Sequence, residues 1–276
     1  MKYKNGLFLF HRDFRLKDNT GFLEAQRNCE HVYTLFIFTP TQVTKSNEFK
    51  SKNSVEFMIQ SLESLEDTIK EHNGKLLLQY GSQDKVLKEV IEKLSIDALF
   101  FNYDLTPYAR ERTEKVEKLC KSLDIECHYS HDYYLLEPGE VLTGNETMYH
   151  KFSPFYEKYM LSDALRYPSK THLKSLKKYN GSLSNTISLK EAFKKFVGKE
   201  NTELFVKGGR ENGLKQLKYA IKHLKKYNDT RDIMSEETSG LSAYIKYGCV
   251  SIREVYMEFK ITHGKFHGLI RQLIWR

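Results

Sequence analysis

Apolar positions in the first 130 residues follow two alternating rhythms. Short runs that are apolar almost throughout, GLFLFH (6–11), HVYTLFIFTP (31–40), KLLLQYG (75–81), DALFFNY (97–103) and IECHYS (125–130), have the length and β-branched or aromatic content of strands buried on both faces. Between them the spacing turns helical. SVEFMIQSLESLEDTIKEH (54–72) puts Val55, Ile59, Leu62, Leu65 and Ile69 on one face, and QDKVLKEVIEKL (83–94) is amphipathic. Asp18-Asn19 offers an N-cap for a short helix running to Asn28, and Pro107 opens another over 107–123 at a first-turn position. Five strands interleaved with four helices imply βαβ units, and right-handed crossovers then give a doubly wound, Rossmann-like α/β domain with a five-stranded parallel sheet. Its ligand crevice is expected at the carboxyl ends of the strands, at His11-Arg12-Asp13, Thr39-Pro40 and Asn102-Tyr103-Asp104. No GxGxxG follows the first strand, so dinucleotide binding at that turn is not supported.

Residues 131–187 carry scattered proline and glycine and read as an irregular connection. From Leu189 the pattern is helical over 189–197, 209–227, 239–247, 251–261 and 266–276. The expected organisation is a Rossmann-like domain (1–131), an interdomain linker (132–188) and a mostly α-helical, incomplete second domain (189–276).

Charge divides the chain at the same place. Of the net +8 over 276 residues, residues 1–150 contribute −5 and residues 151–276 contribute +13. A polyanion would be drawn to the second half, where it lowers self-repulsion and releases counterions. No run reaches the roughly 18 consecutive apolar residues of a membrane helix, and the N-terminus is too charged for a signal peptide, so a soluble intracellular protein (cytoplasm or nucleus) is expected. Four cysteines without CxxC spacing suggest neither a disulfide scaffold nor a zinc ribbon.

Candidate chemistry is concentrated in the last fifty residues. Thr238, Ser239 and Ser242 cluster at an expected helix start, where hydroxyls and unpaired backbone N–H groups suit an anion; a simple N-cap needs only one of them. Trp275 is the only tryptophan, a core anchor or a stacking surface. His263 and His267, four apart, could share a helical face, but without acidic or thiol company they read as a surface pair. His11-Arg12-Asp13 echoes a kinase catalytic loop but lacks the Asn five positions on.

Several ordered segments together resemble the photolyase/cryptochrome family. LFLFHRDFRLKDNTGF (7–22) resembles its opening strand and R-x-D-x-R-x-x-D-N turn, NYDLTPYARER (102–112) its strand-end and helix start, and MYHKFSPFYEKY (148–159) its stretch after the linker. YNDTRDIMSEETSGLSAYIKYGCVSIREV (227–255) resembles Y-x-x-x-RD followed by TS-x-LS-x-Y-L-x-x-G-x-x-S-x-R, and LIRQLIWR (269–276) its RELxWRE segment up to the Arg. The resemblance implies FAD held by Tyr227, Thr238, Ser239, Leu241 (through its backbone), Ser242 and Arg276. It implies damaged duplex DNA on the basic half, with a flipped base received by Gln272 and Trp275. It implies light-driven electron transfer from reduced FAD that splits pyrimidine dimers, the flavin and no protein residue carrying the chemistry, and a possible second antenna chromophore, folate or deazaflavin, in the N-terminal domain. Gln272 stands where repair enzymes often have a Glu, Leu269 replaces an aromatic, and Lys207-Gly208-Gly209-Arg210 keeps the glycines of a PGGE-like turn without its Pro and Glu. Because this pattern stops at Arg276, a truncated relative, or one piece of a split photolyase completed by a second polypeptide, is expected. A cryptochrome-like photoreceptor and a non-catalytic remnant are the alternatives.

Overall fold

A computed structural model describes residues 1–162 and 166–276; the expected linker residues 163–165 lie outside the described residues. Five parallel strands, β1 (Tyr3–Phe10), β2 (Cys29–Phe38), β3 (Leu76–Tyr80), β4 (Ala98–Tyr103) and β5 (Glu126–His131), form one sheet in the order β3-β2-β1-β4-β5. The order reverses direction at β1, the switch point of a doubly wound sheet.

The continuous apolar runs are explained by layers on both faces. Phe8, Phe10, Phe36, Phe38 and Phe100 face one core, packed under α1 (Thr20–Asn28) and α3 (Lys52–Glu71), with the single turn α2 (Pro40–Val43) between β2 and α3. The alternate residues Leu7, Leu9, Leu35, Ile37, Leu99 and Phe101 face the other, covered by α4 (Gln83–Leu94) and α5 (Pro107–Ser122). Asn19 caps α1 as its sequence suggests, accepting from Phe22 N at 3.1 Å.

The connection is less irregular than its composition implies. FSPFYEKYML forms α6 (Phe152–Leu161), whose Phe152, Phe155, Tyr156 and Tyr159 join the helical core. Its later part becomes a strap: Leu176 N donates to His72 O, Lys177 N to Val32 O, Tyr80 N to Asn185 O and Ile187 N to Leu78 O, which closes the β3 edge. The following α7 (Leu189–Phe196), fixed by a Ser188/Glu191 capping box, packs on α3 through Leu189, Ala192 and Phe196. By packing, the strap and α7 lie with the sheet and α6 with the helices.

The remaining helices, α8 (Arg210–His223), α9 (Tyr227–Thr230), α10 (Ser242–Lys246), α11 (Ile252–His263) and α12 (Gly268–Trp275), surround a third core containing Leu217, Tyr244, Val255, Phe259 and Ile270. The helix expected over 239–247 is shorter, beginning only at Ser242. Gly240, at φ 61°, interrupts the chain just before it. His263 and His267 are not a surface pair. His267 is buried, and Nε2 of each ring lies 2.8–2.9 Å from a carbonyl at the end of α8, Ile221 O and Leu224 O respectively. His267 Nδ1 accepts from Leu269 N, so its proton is on Nε2 and the ring caps α8 from outside.

Candidate ligand sites and the buried lock between them

Two stretches more than 230 residues apart meet in a buried charge cluster. The Arg15 guanidinium donates to both oxygens of Asp132 at 2.7 and 2.9 Å and to the carbonyls of Gly248 and Asp18. Arg253 donates to Asp18 Oδ2 at 3.0 Å, to Asp132 Oδ1 at 2.8 Å and to two backbone carbonyls. All four side chains are at most 6% exposed. Against the upward push of burial, the two arginines hold Asp132 far below the usual carboxylate range. Gly248 is seated on the same turn: at φ 62° a Cβ there would meet Asp13 Cα at 2.5 Å. Tyr247 stacks on Phe14 beside it, and Phe14 N donates to Tyr247 O at 3.0 Å. The turn at 11–19 and the G-x-x-S-x-R segment at 248–253 are thus one lock joining sheet and helices. Asp132, its hub, was missed in the sequence, for it sits in an irregular stretch with nothing to mark it.

Of the three strand ends expected to line a crevice, those at His11 and Thr39 border one cavity, and Asn102, Tyr103 and Asp104 do not. A cavity of about 390 Å³ is lined by Phe10, His11, Thr39, Gln42, Phe49 and Arg112, among others. Both ring nitrogens of His11 and Arg112 Nε are shielded from solvent without a hydrogen-bond partner among the described residues. Burial, with Arg112 and Arg12 nearby, pushes His11 well below its usual value, so the ring is neutral. A second hollow of about 270 Å³ shares Thr39, Gln83 and Arg112 and adds Ser82 and Asp84 at the start of α4 and Glu111 and Lys115 on α5. An apolar slot with unpaired imidazole nitrogens, continued by a hollow of mixed charge, suits a planar heterocycle with polar edges. Tyr108 and Arg112, which line both cavities, lie in the NYDLTPYARER segment, so the signal that could have singled them out was already in the sequence.

Asp13 lies just behind this cavity, its carboxylate accepting from His11 N, Asn19 Nδ2 and Asn102 Nδ2. Burial, reinforced by Asp132, pushes it up to about 6.

The residues singled out near the C-terminus fall in three places. Trp275 and Arg276 come together on the rim of a hollow of about 330 Å³, with Leu135, Phe155 and Tyr159 in its wall. Trp275 is 63% exposed, one face on Phe152 at 4.2 Å, and Arg271 lies over that same phenylalanine ring at 5.3 Å. Gln272, exposed, is three residues before Trp275 on α12. Tyr227 is elsewhere, half-buried at the start of α9 and stacked on His267 at 5.9 Å. The third group is an open turn against α8. Ser239 O accepts from Gln216 Nε2 at 2.8 Å, Ser239 Oγ accepts from Leu241 N at 3.3 Å, and the Leu241 side chain is buried. Thr238 and Ser242 are exposed, and their hydroxyls have no protein partner among the described residues. None of the cavities described here joins these three places.

Charge pairing differs between the halves. Lysines on α3, α4 and α5 sit by glutamates one turn away: Lys70 by Glu66, Lys88 by Glu92, Lys93 by Glu89 and Lys115 by Glu111. On α8 and just beyond it Lys215, Lys218, Lys222, Lys225 and Lys226 are exposed, and none is ion-paired among the described residues. Tyr219 and His223, stacked at 4.2 Å, lie among them.

Doubly wound sheet, helical annex and buried lock together define a class, and comparison with known proteins gives it a family. The DNA photolyase family model matches residues 6–171, so the chain belongs to the photolyase/cryptochrome family. It is 24% identical, over 94% of its length and 54% of the relative's, to a deoxyribodipyrimidine photo-lyase of Synechococcus sp. (strain ATCC 27144 / PCC 6301 / SAUG 1402/1). It is 26% identical to Cryptochrome-1 of Anopheles gambiae, covering 99% of this chain and 57% of that one. An uncharacterised 31.6 kDa protein of Synechococcus sp. (strain PCC 6716) is 27% identical and matched over 93% of its own length. Among solved structures, the Sulfolobus tokodaii photolyase, described with two FAD molecules and a novel light-harvesting cofactor, superimposes with a TM-score of 0.79 at 28% identity. That match covers 99% of this chain and 57% of that one. Apart from the 31.6 kDa protein, the chain spans about half the length of these relatives. Among the described residues no helix is long and apolar enough to cross a membrane.

Proposed function

We propose that this chain is a photolyase-like flavoprotein, a deoxyribodipyrimidine photo-lyase in kind, built to bring FAD and ultraviolet-damaged DNA together on its helical half. The observation that carries the reading is Trp275, a largely exposed indole backed by Phe152 on the rim of an apolar hollow, in the half with unpaired lysines. A flipped base needs such a π surface. Thr238, Ser239 and Ser242, with the Leu241 backbone, would hold the FAD diphosphate. The free hydroxyls of Thr238 and Ser242 fit that role, and Tyr227 and Arg276 would contact the rest of the cofactor. When bound, reduced FAD supplies the light-driven electron; the chain's own part is to orient lesion and cofactor and to exclude water. Gln272 would face the lesion through its amide. The lysines of α8 would meet the phosphate backbone. The His11 cavity would take a second, planar chromophore, the unpaired imidazole nitrogens supplying its hydrogen bonds.

Gln272, an amide in place of the acid expected of a repair enzyme, favours a second reading as a cryptochrome-like photoreceptor with the same flavin site. One pair of measurements tests both. FAD titrated into the chain should bind saturably, with flavin fluorescence as the signal. The loaded protein should prefer ultraviolet-irradiated over intact duplex in the dark, and Trp275→Ala should abolish that preference. Saturable flavin binding with equal affinity for both duplexes selects the photoreceptor; no saturable flavin binding overturns both.

A further inference from the structure

We infer that Cys120 and Cys127 are a site of reversible oxidation, a dithiol that closes into a disulfide between α5 and β5. The inference does not depend on the flavin reading. Cys120 is buried in the last turn of α5, 1% exposed. The chain then reverses at once. Leu123 N donates to the Cys120 carbonyl, Asp124 takes a left-handed φ of 55°, and Ile125 N donates to the same carbonyl at 3.1 Å. That last bond lays the start of β5 directly against Cys120. Residues two apart on a strand share a face, so Cys127 points the way Ile125 does, toward α5.

The register agrees. Cys127 pairs in parallel with Leu99, which belongs to the core under α4 and α5, and Ile125 and Cys127 both pack against that core beside Cys120. His128, the next residue, pairs with Phe100 and stacks on it at 4.9 Å on the opposite face. Cys120, inside that core, and Cys127, packed against it, are thus brought together on one face of the sheet. The other two cysteines lack such company. Burial pushes Cys29 up to about 12, and Cys249 is buried with its thiol on Ser61 at 3.3 Å. Cys127 is only half-buried and lies on the outermost strand, so a small oxidant can reach one sulfur of the pair.

The oxidant fitted to such a pair is a low-molecular-weight disulfide such as oxidised glutathione. One cysteine, as thiolate, attacks a glutathione sulfur, forming a mixed disulfide and releasing one glutathione thiolate. The second cysteine then displaces the remaining glutathione, closing Cys120–Cys127. The two thiols lose two protons and two electrons, and the glutathione disulfide takes up both to become two thiols. The cross-link ties the outermost strand to the helix whose first turns carry Tyr108 and Arg112.

The test equilibrates the folded full chain in a series of reduced-to-oxidised glutathione ratios, then blocks free thiols under acid quench and maps peptides. The expected result is a linked peptide pair containing Cys120 and Cys127, reversed by dithiothreitol, with Cys29 and Cys249 still alkylated. Cys127→Ser, at a half-exposed position, should leave Cys120 alkylated at every ratio. The inference is overturned if all four cysteines stay free at ratios that oxidise a synthetic peptide of residues 116–131. It is equally overturned if oxidation stops at a glutathione adduct on Cys127 or gives only links between chains.

Discussion

The turn at 11–19 and the segment 227–242 carry equally marked motifs and are treated oppositely by the fold. Asp13, Arg15, Asp18 and Asn19 are at most 5% exposed and lock sheet to helices with Arg253 and Asp132. Thr238 and Ser242 stand in solvent with their hydroxyls free. A motif marks a position where chemistry is specified, and burial says whether the partner is the protein itself or something else. By that criterion the first motif is architecture, while the second, like Trp275, is where a ligand would be met.

The sharpest way to break this contrast is Arg253→Met. It leaves Asp18 Oδ2 without a donor and Asp132 with one arginine instead of two, both carboxylates still buried, so unfolding by urea should show a loss of about 3–5 kcal/mol. Gly248→Ala comes next. A Cβ driven into the Asp13 backbone from a left-handed residue should lower stability by about 2–3 kcal/mol, visible as a fall in Tm.

The lock also carries a pH signature. Asp13, raised to about 6 by burial, keeps its proton in the folded state after the unfolded chain has released it near pH 4. Folding stability therefore declines as pH rises from about 4 to about 6, by about 3 kcal/mol. Asp132 acts in the opposite sense: depressed in the fold, it contributes fully above about pH 4, and that contribution is lost on acidification. Asp13→Asn should flatten the decline between about pH 4 and pH 6 in a stability-versus-pH series and leave the acid limb in place. An unchanged upper limb would show that Asp13 ionises normally.

On the exposed side the expected changes move from stability to binding. Trp275→Ala should shift stability by about 1 kcal/mol or less, yet weaken binding of irradiated duplex about 5- to 150-fold, the worth of one stacked base. A large loss of stability with unchanged binding would make Trp275 a core residue after all. The smallest effect is expected at Lys218→Gln with Lys222→Gln. Affinity for any duplex should fall modestly, and the slope of log K against log salt should shrink by about one per lost phosphate contact.

Most of the sheet was legible because strands buried on both faces leave unmistakable runs; GLFLFH and DALFFNY needed no context. Helix α6 was not, since the prolines and glycines scattered around FSPFYEKYML read as an irregular connection, and its aromatic face shows its purpose only once Phe152 meets Trp275 of α12. The His263/His267 pair was misread for a related reason. Its role is to satisfy carbonyls at the end of α8, a need that exists only after two helices have met. The candidate ligand residues were all visible as residue types, but not their separation into three places, because sequence spacing does not report how α8, α10 and α12 are laid against one another. The unpaired nitrogens of His11 were beyond reach altogether, for an orphaned polar atom is a property of surroundings.

The strap over β3 has one more consequence. With that margin of the sheet already paired to the chain's own residues 185–187, the sheet edge left open to strand-by-strand growth among the described residues is that of β5. A proline placed at Tyr129, whose ring is 45% exposed there, would take away a template N–H and should delay heat-induced clumping more than it lowers the melting point.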